Sequence, residues 1–207
     1  MTERRRRLAI LLSGRGSNFE AIADAVDSGR IPDAQIVAVI SDVAAARGLE
    51  RARERGLPSY LVERKGFGSR AAHEAEILRI LDETRPELVC LAGYMRILSP
   101  EFVGRWRGRL LNIHPSLLPK YRGLSPQKRA LEAGEVETGC TVHLVDEGTD
   151  TGPTVLQRKV PIEPGDTEES LSARILVQEH EAYPEAITVL LSRQGGGEDD
   201  AQHGVHQ

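Results

Sequence analysis

Absences narrow the possibilities for this chain first. Only two cysteines occur in 207 residues, Cys90 and Cys140. Neither belongs to a CxxC pair or to a zinc-like histidine spacing, so a disulfide framework and a metal site are both unsupported. Both lie in apolar, strand-like surroundings and read as buried free thiols in a reducing cytoplasm. No apolar run approaches the ~20 residues that cross a bilayer. The stretch Leu8–Leu12 behind the basic cluster Arg4–Arg7 is too short for a signal-peptide core, so those arginines read as a solvated lead-in to a first strand. A cationic excess is missing as well. With 27 Lys and Arg against 31 Asp and Glu, the net charge of −4 argues against non-specific nucleic-acid binding. Neither common nucleotide fingerprint is present: Phe19 stands where G-x-G-x-x-G needs its last glycine, and there is no GK[ST].

What is present is an alternation. The short apolar runs Leu8–Leu12, Ile36–Ile40, Ser59–Val62, Leu88–Leu91 and Leu110–Ile113 read as strands. Between them, residues 18–28, 43–55 and 69–84 carry helical spacing. Thr138–Val145 and Thr154–Pro161 form two more strand-like runs around a Gly/Asp-rich turn, and Thr167–Leu191 is a long helical pattern with acids in its first turn. The expected fold is therefore α/β: a mostly parallel twisted sheet with helices on both faces and an antiparallel strand pair in the C-terminal half. One domain is expected over residues 1–192, followed by a disordered tail over 193–207 whose His203 and His206 are incidental.

Two turns carry chemistry. In Leu110–Pro119 the strand delivers Asn112 and His114 to the same face, Ile113 to the other, and Pro115 ends the ladder. An amide donor beside a titratable ring at a strand's carboxyl end suits stabilisation of an oxyanion and movement of a proton. Satisfying loop backbone groups is the plainer use of the same pair, and these residues alone leave it open. Ser13-Gly14-Arg15-Gly16-Ser17-Asn18 joins the first strand to the first helix, where glycines and free N–H groups suit an anion. The shape favours a phosphomonoester over a dinucleotide, with a simple tight turn as the alternative.

These two segments, together with Asp146-Glu147-Gly148-Thr149-Asp150-Thr151-Gly152-Pro153, resemble the folate-dependent formyltransferases over roughly residues 8–191. The resemblance implies transfer of a formyl group from 10-formyltetrahydrofolate, a co-substrate, to the amine of glycinamide ribonucleotide in purine biosynthesis, without a metal. It assigns Asn112 as oxyanion donor, His114 as acid/base and Asp150 as the carboxylate that favours the charged imidazole. It matches Gly16, Ser17 and Asn18 to the phosphate, and Glu179 to the substrate amine. Arg70, Met95, Arg96, Ile97 and Leu98 are matched to folate. The implied partners are small molecules only, with no nucleic acid and no membrane, in a monomer or homodimer.

The pattern bends at Tyr121–Arg129. Ser125 and Gln127 stand where family members of this type carry histidines, Leu176 stands where a polar residue is usual, and Arg122-Gly123-x-x-Pro126 looks like the branch acting on methionyl-tRNA. That branch carries a C-terminal β-barrel domain, and the hydrolytic branch carries a regulatory domain ahead of the catalytic one. Neither is expected here. Another amine acceptor, or a non-catalytic phosphosugar-binding module, stays open.

Overall fold

The computed structural model describes residues 5–195. Seven strands form one sheet: β1 (Arg6–Leu12), β2 (Ala34–Ser41), β3 (Ser59–Leu61), β4 (Leu88–Leu91), β5 (Leu110–His114), β6 (Glu137–Leu144) and β7 (Thr154–Pro161). Their order is β3-β2-β1-β4-β5-β6-β7. Pairing is parallel from β3 to β5 and antiparallel from β5 through β7. The helices are α1 (Ser17–Asp27), α2 (Arg47–Glu54), α3 (Arg70–Thr84), α4 (Pro100–Arg105), α5 (Pro126–Glu132) and α6 (Glu168–Gly195). The expected fold class is observed.

Strand alternation explains the two-layered core. Leu8, Ile10 and Leu12 of β1, with Leu111 and Ile113 of β5, pack toward α1, α2 and α6; Ala9 and Leu11 pack toward α3 and α4. Burial on both faces is why the parallel strands read as continuous apolar runs rather than as alternating ones. Tyr183 of α6 is fully buried, and its hydroxyl donates to Leu91 O at 3.0 Å and Leu111 O at 3.2 Å. A phenol taken from water needs such partners, and here it clamps α6 across β4 and β5.

The order reverses at β1: β2 lies on one side and β4 on the other. Open α/β sheets bind ligands in the crevice at the carboxyl ends of strands at such a switch point. The loops after β1 and β4 meet there, with Ser13 N donating to Gly93 O at 3.1 Å.

Three expectations need correction. Arg6 and Arg7 are part of β1 rather than a solvated lead-in. Arg6 pairs with Glu87 at 2.7 Å and donates to Leu191 O at 3.1 Å, and Arg7 donates to Thr84 O at 2.6 Å, so both clamp the sheet end opposite the crevice. Helix α6 runs through Gly195 because its backbone bonding outlasts the apolar stripe, so the first three residues of the expected tail are helical. The rest of that tail, with His203 and His206, lies outside the described residues. Finally, Pro126–Glu132, a stretch where no helical spacing is expected from the sequence, forms α5, started by Pro126 at its first turn.

Candidate active site

Glycine at 16 is required by space and by backbone. Its φ is +79°, and a Cβ there would lie 2.5 Å from the Gly48 Cα of α2. That close approach fixes the turn and brings Ser17 and Asn18 to the start of α1. A cleft of about 720 Å3 opens in front, reached by the whole Ser13–Asn18 turn, by Ile113 and Pro115 of the β5 end, by Gln127 of α5, and by Glu179 of α6. Asn18 Nδ2 donates to Glu179 Oε2 at 2.8 Å, which joins two residues 161 positions apart. Burial pushes the Glu179 carboxyl above the ordinary glutamate range, with the Asn18 amide opposing.

On the other side of β5, Asn112, His143 and Asp150 share a narrower cleft with Arg96, Ile97 and Leu98. Asp150 sits between two imidazoles, its Oδ2 at 3.3 Å from His114 Nδ1 and its Oδ1 at 3.5 Å from His143 Nε2. Gly123 N–H donates to the same carboxylate at 2.9 Å. Burial opposes ionisation of Asp150, yet the His143 ring, the Gly123 N–H and the charge at both histidines hold its carboxyl below the usual aspartate range. The loop that carries it folds back on the end of β6, where a Cβ at Gly152 would lie 1.8 Å from Leu144 O.

Partner chemistry assigns the ring protons. His114 Nε2 faces Tyr121 O at 3.0 Å. A carbonyl only accepts, so this nitrogen carries a hydrogen. The other ring nitrogen faces a carboxylate, and only the imidazolium form donates to both. His143 Nδ1 faces Leu144 O at 2.9 Å and so carries a hydrogen, while its Nε2 lies 3.4 Å from Asn112 Nδ2 and 3.5 Å from Asp150 Oδ1. The Asn112 amide lines the narrower cleft, where its N–H can reach a ligand.

The segment after β4 is unlike the rest of the surface. Met95 and Ile97 are 75% and 77% exposed, whereas Leu98 is buried. Arg96 Nε donates to Asp42 Oδ2 at 2.7 Å, Ser13 Oγ donates to Asp42 Oδ1 at 2.6 Å, and Met95 N–H donates to Ser13 Oγ at 2.9 Å. The Asp42 side chain, at the end of β2, is 1% exposed. It therefore ties the β1 turn to the β4 loop. Arg70 is not brought to either cleft. Its Nε donates to Glu74 Oε1 at 3.1 Å, and Glu74 in turn accepts from Ser99 N at 3.0 Å, so Arg70 stands behind the β4 loop.

Sequence reasoning missed His143 and Asp42. His143 lies directly opposite Asn112 in the β5–β6 register. A polar side chain on the Asn112 face of an otherwise buried strand was the available signal. Asp42 closes a strand that is buried up to it, a weaker signal of the same kind.

With this geometry in view, likeness to other proteins becomes informative. A family model described as Formyl transferase matches residues 6–187, and the chain belongs to that family. It is 48% identical to the phosphoribosylglycinamide formyltransferase of Escherichia coli (strain K12), over 87% of this chain and 85% of that one. It is 54% identical to the trifunctional purine biosynthetic protein adenosine-3 of Drosophila pseudoobscura pseudoobscura, matching 93% of this chain but spanning only 14% of that relative. Among solved structures it resembles glycinamide ribonucleotide transformylase 1 from Symbiobacterium toebii. The TM-score is 0.88 at 45% identity, covering 93% of this chain and 91% of that one.

Proposed function

We propose that this chain transfers the formyl group of 10-formyltetrahydrofolate to the amine of glycinamide ribonucleotide, as a cytoplasmic enzyme of purine biosynthesis. The observation that carries the reading is the position of Asn112 and His114 on one strand between two clefts, with Asp150 against the His114 ring. The larger cleft, with its glycine turn and Glu179, suits a phosphorylated amine. The narrower one, edged by exposed Met95 and Ile97 and the backbone between them, suits a flat pterin with amide-like edges.

The folate supplies a formyl group on an aryl nitrogen. Attack by an amine on that carbon places negative charge on oxygen, and the free Asn112 N–H donates to it; a donor of this kind contributes roughly 2.7–4 kcal/mol. The charged His114 ring adds a second donor and provides the proton that the leaving nitrogen takes up. Asp150, 3.3 Å from Nδ1, orients that ring, and His143 lies beside the Asn112 amide. Transfer requires His114 Nε2 to exchange the Tyr121 carbonyl for substrate, so the 121–123 segment yields when the site fills. Glu179 orients the incoming amine and, through water, accepts its proton.

The test is release of tetrahydrofolate from 10-formyltetrahydrofolate with and without glycinamide ribonucleotide. Release that depends on the ribonucleotide is expected. Release without it would indicate hydrolysis, and no release in either case would overturn the assignment of donor and acceptor.

A further inference from the structure

The larger cleft has a charge problem that the reading above leaves unsolved. Besides polar and apolar groups it is lined by two carboxylates, Glu169 and Glu179, and by a single cation, Arg15. A phosphomonoester dianion at the Gly16–Asn18 turn needs more positive charge than backbone N–H groups provide, because partial charges at a helix end sum to only about half a unit. Arg47 and Arg122, which make no ion pair among the described residues, do not line the cleft, and two basic side chains on the adjoining helices are engaged. Arg174 of α6 pairs with Asp166 at 2.7 Å and Glu163 at 3.2 Å, and Lys128 of α5 faces Glu132 at 3.8 Å. At the cleft-facing position of α6 stands Leu176, which brings no charge. Arg15, by contrast, is exposed and makes no ion pair or side-chain hydrogen bond among the described residues. Its backbone is not free to wander, since Gly16 is locked against Gly48 and Gly48 N donates to Gly14 O at 3.1 Å. An idle guanidinium on a fixed turn at the mouth of an otherwise acidic cleft is placed to close on an anion.

We propose that Arg15 is the specificity-determining residue for a phosphorylated acceptor, its guanidinium gripping the phosphate that the turn cradles. This rests on the reading that the larger cleft holds the amine substrate. A guanidinium suits the task because its planar fork donates two parallel N–H bonds to phosphate oxygens. Arg15 touches no reacting atom, so it acts on binding of the phosphate and leaves the chemical step alone.

The experiment compares wild type, Arg15→Ala and Arg15→Lys with glycinamide ribonucleotide and with its dephosphorylated riboside. Arg15→Ala should raise KM for the ribonucleotide about 10–100-fold, the range for losing a charged hydrogen bond. Its kcat should stay within about threefold and its KM for the riboside should not change; Arg15→Lys should recover much of the loss. An unchanged ribonucleotide KM, an equal rise for both acceptors, or a fall in kcat alone overturns the proposal. Calorimetric binding of ribose 5-phosphate, needing no turnover, separates this proposal from the function it rests on. Arg15-dependent binding without formyl transfer would leave Arg15 an anion-binding residue and defeat the transferase reading. Transfer with Arg15-independent binding would do the reverse.

Discussion

The two clefts flanking β5 are built by opposite means. The cleft proposed for the acceptor is a backbone construction: Gly16 at φ +79° packed on Gly48, with α1 beginning at the next residue. Little else fits there, so the sequence is constrained locally and the turn can be read from six consecutive letters. The cleft proposed for the folate is a surface construction: Met95 and Ile97 are exposed, Arg96 is tethered to Asp42, and the shape comes from three separate chain segments. A site made by tight backbone geometry leaves a compact signature, whereas one made by juxtaposition leaves a scattered one. Between them, Asn112, His114 and Asp150 combine both kinds, a short strand motif and a carboxylate 36 residues after the histidine.

Breaking the shared centre should have the largest effect. Asn112→Ala is expected to lower kcat by about 10²–10³, with both substrate KM values within a few-fold, as measured by steady-state kinetics. Breaking the acceptor side alone comes next. Gly16→Ala forces an L side chain into a left-handed turn and against Gly48, which should cost roughly 1–3 kcal/mol and lower Tm by about 5 °C. It should raise acceptor KM, while folate affinity by direct titration survives. Asp42→Ala cuts the tie between the sides and should raise KM for both substrates about tenfold, whereas variants confined to one side raise only one.

Glu179→Gln sharpens the contrast between function and stability. Because burial raises the folded-state pKa of Glu179, the stability it contributes is present below the ordinary glutamate range and is lost as pH rises through the raised value. At neutral pH the ionised carboxylate therefore costs stability. The glutamine variant should melt a few degrees higher at pH 7.5, with the gap closing in acid, and its acceptor KM should rise. Smallest of all, Ile97→Ser should leave Tm within about 1 °C, since its side chain is already solvated, and raise folate KM only about threefold.

Much of the fold was legible for a simple reason. Strands buried on both faces have no choice but to be apolar, and β4 was bounded to the residue; β7, a largely exposed edge strand, was bounded as well because a Gly/Asp-rich turn precedes it. The strand order was not legible, because pairing partners such as β1 and β4 are distant in sequence and their runs look alike. Helix α5 was obscured because its Ser-Pro start also reads as a turn. In the site, Asn18 and Glu179 are joined by a hydrogen bond that no sequence signal announced, whereas Arg70 is held by Glu74 one turn along its own helix and does not reach a cleft. His143 escaped because its role depends on register: it becomes significant only when β6 lies antiparallel to β5 and sets it beside Asn112.

The central claim is that two independently built clefts deliver their ligands to His114, which does chemistry rather than binding. The most direct measurement is calorimetric titration of the His114→Ala variant with each substrate separately, paired with a single-turnover assay. The account predicts that both bind within about threefold of wild type while turnover falls by about 10²–10⁴. Loss of binding of either substrate with the residual rate restored at saturation would contradict it, and would make His114 part of a binding cleft instead of the group between them.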